Sequence, residues 1–202
     1  MHTFEPAKGH GLKHDPLNSI VAPRPIGWIS SVAANGNVNL APYSFFNLVN
    51  YKPPILVFSS NGWKDTVRNV SETGEFVWQL VSMPLAQQMN ATSALLPPDV
   101  NEFDVAGLTA VPSNLVEVPR VGEARAAMEC KVIEVKRLQT KDGTDVDSWM
   151  VFGEVVAVHI DKTLIVDGVY QTSLANPIAR GGRTGDYFEV TSATMFDMPR
   201  PT

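Results

Sequence analysis

One cysteine, Cys130, occurs among the 202 residues, so an internal disulfide and a cysteine-built zinc or iron–sulfur site are both excluded. Histidine is scarce as well. His2, His10, His14 and His159 show no metal-ligand spacing, and the step from His10 to His14 falls in a segment of Gly, Pro and Asp without helical pattern. Positive charge is in deficit, with 16 Lys and Arg against 21 Asp and Glu and a net charge of -5. The chain therefore lacks the basic face that a nucleic-acid backbone requires, and any anion site must be local. No apolar run reaches the length of a membrane span, and the N-terminus lacks the apolar core of a signal peptide, so no membrane partner and a cytoplasmic location are expected. Low-complexity tracts, internal repeats, a catalytic triad and a carboxylate pair are all missing.

What is present is an apolar fraction of 44% with 18% charged residues. A chain of this length buries roughly 70% of its unfolded surface, enough for one core. The expectation is a single domain over residues 1–202, with a leader at 1–18 and a tail at 191–202. Cys130 sits in the alternating run Met128-Glu129-Cys130-Lys131-Val132 and reads as a buried small hydrophobe.

The stretch from Arg24 to Thr66 is the densest in signals. Apolar and small residues from Pro25 to Ala33 meet Val38 to Ala41 across Asn35-Gly36, which predicts a hairpin with a type I′ turn. Pro42 argues against continuing in a central strand, so Tyr43-Ser44-Phe45-Phe46-Asn47 is expected as a loop beside the sheet. Pro53-Pro54 ends that loop, Ile55 to Phe58 reads as a buried strand, and a helix is predicted from about Lys64 to Thr73 with Gly74 as its stop. Ser59, Ser60, Thr66 and Lys64 thus gather where a strand hands over to a helix start. Free amides there favour a phosphate, while ordinary capping by Ser, Asn or Asp accounts for the same residues. Asp65 opposes a phosphate unless it turns away, toward Arg68 or the helix amides.

Further along, Phe76 to Val81 reads as a core strand, Pro84 to Leu96 as a helix ended by Leu96-Pro97-Pro98-Asp99, and Val100 to Gly107 as a loop. Leu108 to Val118 is expected as a strand broken at Pro112. Ala126 to Leu138 and Ser148 to Ile160 form the next strand pair. The apolar phase shifts by one residue between Val132 and Ile133, as at a β-bulge in a barrel. Arg180 and Arg183 fall in a glycine-rich loop without the strand–helix context of a dinucleotide fold.

In order, Arg24-Pro25-Ile26-Gly27-Trp28-Ile29-Ser30-Ser31, Asn39 to Asn47, Pro53-Pro54, Lys64-Asp65-Thr66 with Asn69, Gly74 to Val77, Glu129-Cys130, Gly153 to Val155 and Arg180-Gly181-Gly182 with Tyr187 resemble the flavin reductase-like family of FMN-binding split β-barrels. The resemblance covers nearly the whole chain. It implies a mainly β fold, an FMN-binding split β-barrel with a few flanking helices, and an NAD(P)H:flavin reductase. Such an enzyme passes a hydride from NADH or NADPH to FMN and onward to free flavin, oxygen, ferric iron or a partner monooxygenase. Trp28, Ser30, Ser31, Ser44, Phe45, Phe46 and Asn47 are then candidates for the ring and ribityl chain. Of Phe45 and Phe46, one is expected in the core and one at the site. Ser59, Ser60, Lys64, Asp65 and Thr66 are candidates for the phosphate end. Arg180 or Arg183 would face phosphate or the charge of reduced flavin, and His159 would be a cofactor contact, although a lone histidine at a strand end reads by itself as a hydrogen-bonded structural residue. No catalytic side chain is required, because the flavin carries the chemistry. A homodimer is implied. Two other readings stay open: a flavoredoxin-like electron carrier reduced by a protein, and a non-catalytic barrel for another phosphorylated ligand.

Overall fold

The computed structural model describes residues 1–97 and 99–201. Helix α1 (Leu17–Ile20) leads into strands β1 (Arg24–Pro25), β2 (Gly27–Val32), β3 (Val38–Tyr43), β4 (Phe46–Tyr51) and β5 (Pro54–Asn61). Helix α2 (Asp65–Thr73) precedes β6 (Glu75–Gln79), and α3 (Ala86–Ala91) and α4 (Glu102–Ala106) follow. After the short pair β7 (Ala110–Val111) and β8 (Arg120–Val121) come the two long strands β9 (Ala126–Gln139) and β10 (Asp145–Ile160). The chain closes with β11 (Ile165–Val166), β12 (Val169–Tyr170), α5 (Thr172–Ala175), β13 (Ile178–Arg180) and β14 (Tyr187–Glu189).

Seven strands form one sheet in the order β3-β2-β6-β9-β10-β5-β4, with every neighbouring pair antiparallel. Its two edges, β3 and β4, are consecutive in sequence and joined only by Ser44 and Phe45. Three chain steps from Tyr43 to Phe46 reach at most about 11 Å, so the sheet must curl until its edges meet there. The fold is a split β-barrel, and the bend at Ser44-Phe45 bridges the split.

Two cores follow from the alternation of β2. Ile29 joins Phe58, Phe76, Cys130 and Val151 inside the barrel, and Trp28 joins Leu40, Met89, Phe103 and Val121 beneath α3 and α4. Cys130 is buried, which pushes its thiol pKa up and leaves it inert. The expected bulge region is irregular: the β9–β10 register shifts between Phe152 and Gly153 and between Val155 and Ala157.

Several local expectations are corrected. The first hairpin has a five-residue loop, 33–37, closed by Ala33 N–H to the Asn37 carbonyl at 2.8 Å. Only Gly36 takes positive φ, because the Asn35 side chain accepts from the Asn37 amide at 3.0 Å and makes an Asx turn instead of a type I′ turn. Pro42 lies within β3, tolerated because β3 is an edge strand. The expected loop 43–47 is the end of β3, a two-residue bend and the start of β4.

Helix α3 stops at Ala91 rather than Leu96, and Pro84 sits in the 3-10 turn Met83–Leu85 before it. The Thr92 hydroxyl donates to the Met89 carbonyl at 2.7 Å and accepts from Trp28 Nε1–H at 2.9 Å, which holds the chain off the helical path. Of the expected stop, Pro98 lies outside the described residues. Residues 102–106 are helix, not loop: the Asn101 side chain caps α4 by accepting from the Phe103 amide at 3.0 Å, and Gly107 ends it at φ 64°. Only Ala110–Val111 of the expected strand 108–118 is extended in a ladder. Arg180 closes β13, ahead of the glycine loop rather than in it.

Candidate functional site

A cleft of about 220 Å³ opens where β3, the start of α2, the segment after α3 and α4 converge. Asn39, Tyr43, Lys64, Asp65, Thr66 and Glu102, with Thr92 and Ser93 from the segment after α3, supply its polar lining. Thr66 is 1% exposed, and its hydroxyl accepts from Asn39 Nδ2–H at 2.8 Å. Tyr43 is buried beside it; desolvation raises its phenol pKa, opposed by the hydroxyls of Thr66 and Ser60.

Lys64 occupies the N-cap of α2, and no side chain caps that helix. The capping explanation for the local Ser and Asn residues is thereby removed, and the first amides of the helix remain available as donors. Asp65 is paired with Arg68 one turn along, so its charge is compensated beside the cleft. Among the described residues, Lys64 has no ion-pair partner. A cation and unclaimed helix amides form a donor set that fits a phosphate. Glu102 is the opposing feature: burial pushes its carboxyl above the ordinary carboxylate range, against the pull of the Leu40 amide it accepts.

The other candidates divide. Lys64, Asp65 and Thr66 line the cleft together. Ser44 and Phe45 lie next to it in sequence, at the barrel split, and Phe45 is 44% exposed. Phe46 turns inward and stacks on Trp78 at 5.7 Å between ring centroids with an interplanar angle of 5°. Asn47 is exposed, and its Oδ1 accepts from the Leu48 amide at 2.9 Å.

Trp28, Ser30 and Ser31 have no exposed surface, and the structure does not bring them into the lining of the cleft. Their polar groups serve the fold: Trp28 bonds Thr92, Ser30 Oγ–H donates to the Pro119 carbonyl at 2.6 Å, and Ser31 Oγ accepts from Asn69 at 3.2 Å. Ser60 is equally buried and donates to the Gly62 carbonyl at 2.9 Å, while Ser59 Oγ lies 3.2 Å from Ser148 Oγ. Neither lines the cleft.

His159 is not brought to this site. It lines a different cleft, with Arg125, Val158 and Asp161. There Nε2–H donates to Glu129 Oε1 at 2.5 Å. Burial alone would raise the Glu129 pKa, but donors from Asn114, His159 and Leu115 outweigh it and hold the carboxylate below its usual range.

The two arginines also separate. Arg183 is exposed and paired with Asp186. Arg180 stacks over Tyr187, 4.7 Å from guanidinium carbon to ring centroid, and donates to the carbonyls of Asp186 and Thr184. Its Cα partner across β1–β13 is Arg24, a residue that sequence reasoning quoted only within a motif. Arg24 is 8% exposed, lies over Phe45 at 5.7 Å and donates to the carbonyls of Asn18, Val21 and Gly181. Burial and then Arg180 lower its pKa. Asn39, Tyr43, Thr92 and Glu102 were also missed as site residues. The sequence signal for Glu102 was present in Asn101 followed by an acidic first turn and Gly107, a helix start and stop.

A model of the flavin reductase like domain matches residues 20–175, and the chain belongs to that family. An uncharacterized protein of Aquifex aeolicus is 38% identical over 175 residues, covering 84% of this chain and 85% of the relative. Among solved structures, nitrilotriacetate monooxygenase component B of Bacillus cereus superposes with a TM-score of 0.88 at 30% identity, covering 98% of both chains. The 2-nitrobenzoate 2-nitroreductase of Pseudomonas fluorescens gives 0.80 at 30% identity, covering 92% of this chain and 91% of that one. Family membership assigns the protein a flavin-linked redox role. Among the described residues no helix is long and apolar enough to cross a membrane.

Proposed function

We propose that the protein is an NAD(P)H:flavin reductase with FMN as its flavin, passing a hydride from NADH or NADPH to the flavin and electrons on to an acceptor. The observation that carries this reading is the cation Lys64 at an uncapped helix start, with Asp65 compensated by Arg68. When bound, FMN supplies the hydride-accepting and electron-donating chemistry. The chain's own residues bind and orient. Lys64 and the first amides of α2 hold the phosphate, Thr66 and Tyr43 shape the cleft beside it, and Ser44, Phe45 and Asn47 border the ring and ribityl chain at the barrel split. Arg24 and Arg180 bring positive charge near Phe45 and favour a reduced, anionic ligand there.

The name of the Bacillus cereus neighbour supports a partner monooxygenase as one acceptor, and that of the Pseudomonas fluorescens neighbour supports a small aromatic one. A homodimer belongs to the same proposal, since exposed Leu48, Val49 and Tyr51 lie on the edge strand β4.

The test is the absorbance spectrum of the purified protein, followed by NADH and NADPH with and without added FMN. Flavin bands that bleach with either donor are expected. Bands indifferent to both donors favour a protein-reduced electron carrier. No flavin uptake after FMN addition overturns the reading.

A further inference from the structure

A second cleft, about 570 Å³ in volume, lies between the turn and helix at 83–91 and strand β14. Its size falls within the range of small-molecule sites. Ile178 and Met89 form a buried apolar floor, and Met83, Tyr187 and Phe188 stand on its sides with about half of each side chain exposed. The two walls are fastened together. The Met83 amide donates to the Asn176 carbonyl at 2.9 Å, and the Ile178 amide to the Val81 carbonyl at 3.0 Å. Tyr187 is held in turn, because the Arg180 guanidinium over its ring is itself fixed by the carbonyls of Asp186 and Thr184. A rigid aromatic wall of this kind loses little freedom when a ring stacks on it.

Charge decides the class of ligand. Among the described residues no Lys, Arg or His is part of the lining, Arg180 meeting the cleft only through the Tyr187 ring that it covers, and Glu189 is its one ionisable carboxylate. Phosphate, diphosphate and carboxylate ligands are therefore disfavoured, in contrast to the cleft at Lys64. The hydrogen-bonding groups are neutral: the carboxamides of Gln87 and Asn90 and the hydroxyl of Thr184. Their N–H and O–H donors match carbonyl oxygens on an uncharged ring.

We propose that this cleft is a separate binding site for a flat, uncharged aromatic dicarbonyl of the quinone class, stacked against Tyr187 and Phe188 with its oxygens toward Gln87 and Asn90. The proposal does not depend on the FMN reading.

The experiment is calorimetric titration of the full chain with 2-methyl-1,4-naphthoquinone, with the anionic 1,4-naphthoquinone-2-sulfonate, and with FMN. The neutral quinone should bind about tenfold or more tightly than the sulfonate. Tyr187→Ala should weaken the neutral quinone about fivefold to tenfold, and the exposed-site variant Gln87→Leu about threefold to fivefold with FMN affinity unchanged. Equal binding of the two quinones, or no change in either variant, overturns the site. So does NADH displacing the neutral quinone, which would make the cleft a dinucleotide site. A Tyr187→Ala protein that changes its sedimentation but not its quinone affinity would make it a contact between copies of the chain, again overturning the proposal. Failure of FMN to bind, with quinone binding intact, would remove the flavin reading alone.

Discussion

Glu102 Oε2 accepts a hydrogen bond from the Leu40 amide at 3.0 Å. That single bond ties α4 across the free edge of β3, so one carboxylate both satisfies an edge amide and lines the cleft at Lys64. Burial raises its pKa above the ordinary 4.5. A raised folded-state pKa means that the stability it contributes is complete below 4.5 and is lost as the pH climbs through the folded value. Glu102→Gln keeps an acceptor for Leu40 without the charge. Its unfolding midpoint in denaturant should vary less than wild type as the pH rises from 4.5, and it should bind FMN more tightly by a few-fold. A variant whose pH profile overlays the wild type would dismiss the charge as the cause.

Glu129 has the opposite sign. Its pKa is held below 4.5 by the amides of Asn114 and Leu115 and by His159. The stability it provides is therefore present above 4.5 and lost as the pH falls through its depressed folded value. Glu129→Gln should cost roughly 2–4 kcal/mol at pH 7 and flatten the acid limb of the stability curve. Segment 112–118 has no ladder of its own, so it should gain proteolytic sensitivity before the rest of the chain. An unchanged acid limb would assign the pH dependence to other carboxylates.

Gly27 has a packing role beside the split. A Cβ there would stand 2.8 Å from the Phe46 ring, which itself stacks on Trp78. Gly27→Ala should destabilise the fold by about 1–3 kcal/mol and change the near-ultraviolet circular dichroism of Trp78. An alanine variant with wild-type stability and spectrum would mean that Phe46 moves aside freely.

The strands and α2 were legible because local patterns and tertiary packing agree. Asn35-Gly36 marks the first hairpin, and Gly74 ends α2 in the left-handed conformation. What was not legible depends on contacts far apart in sequence. Pro42 breaks a central strand but not an edge strand, and only the closed sheet reveals which one β3 is. The length of α3 is set by Trp28 reaching Thr92, 64 residues away. At the site, Lys64 and Thr66 could be found from the strand-to-helix handover. Trp28, Ser30 and Ser31 belong to the same sequence motif as Arg24, yet a strand buried on both faces hides all three. Arg24 emerges only through its pairing with Arg180, 156 positions downstream.

Lys64 gives the sharpest separation of phosphate recognition from ring recognition. It stands at the N-cap of α2 without an ion-pair partner among the described residues, and the neighbouring carboxylate Asp65 is taken up by Arg68. Removing the cation deletes a charge-assisted contact worth about 1.5–3 kcal/mol. Lys64→Ala should therefore weaken FMN binding by about tenfold to a hundredfold while leaving riboflavin, which has no phosphate, nearly unchanged. Lys64→Arg should restore most of the loss. Arg68→Ala keeps Lys64 but frees Asp65 beside the phosphate position, so it should weaken FMN by a smaller factor that shrinks as salt is added. Parallel fluorescence titrations with both flavins make the distinction. Equal losses for FMN and riboflavin in Lys64→Ala would mean that Lys64 supports the shape of the cleft and does not read the phosphate.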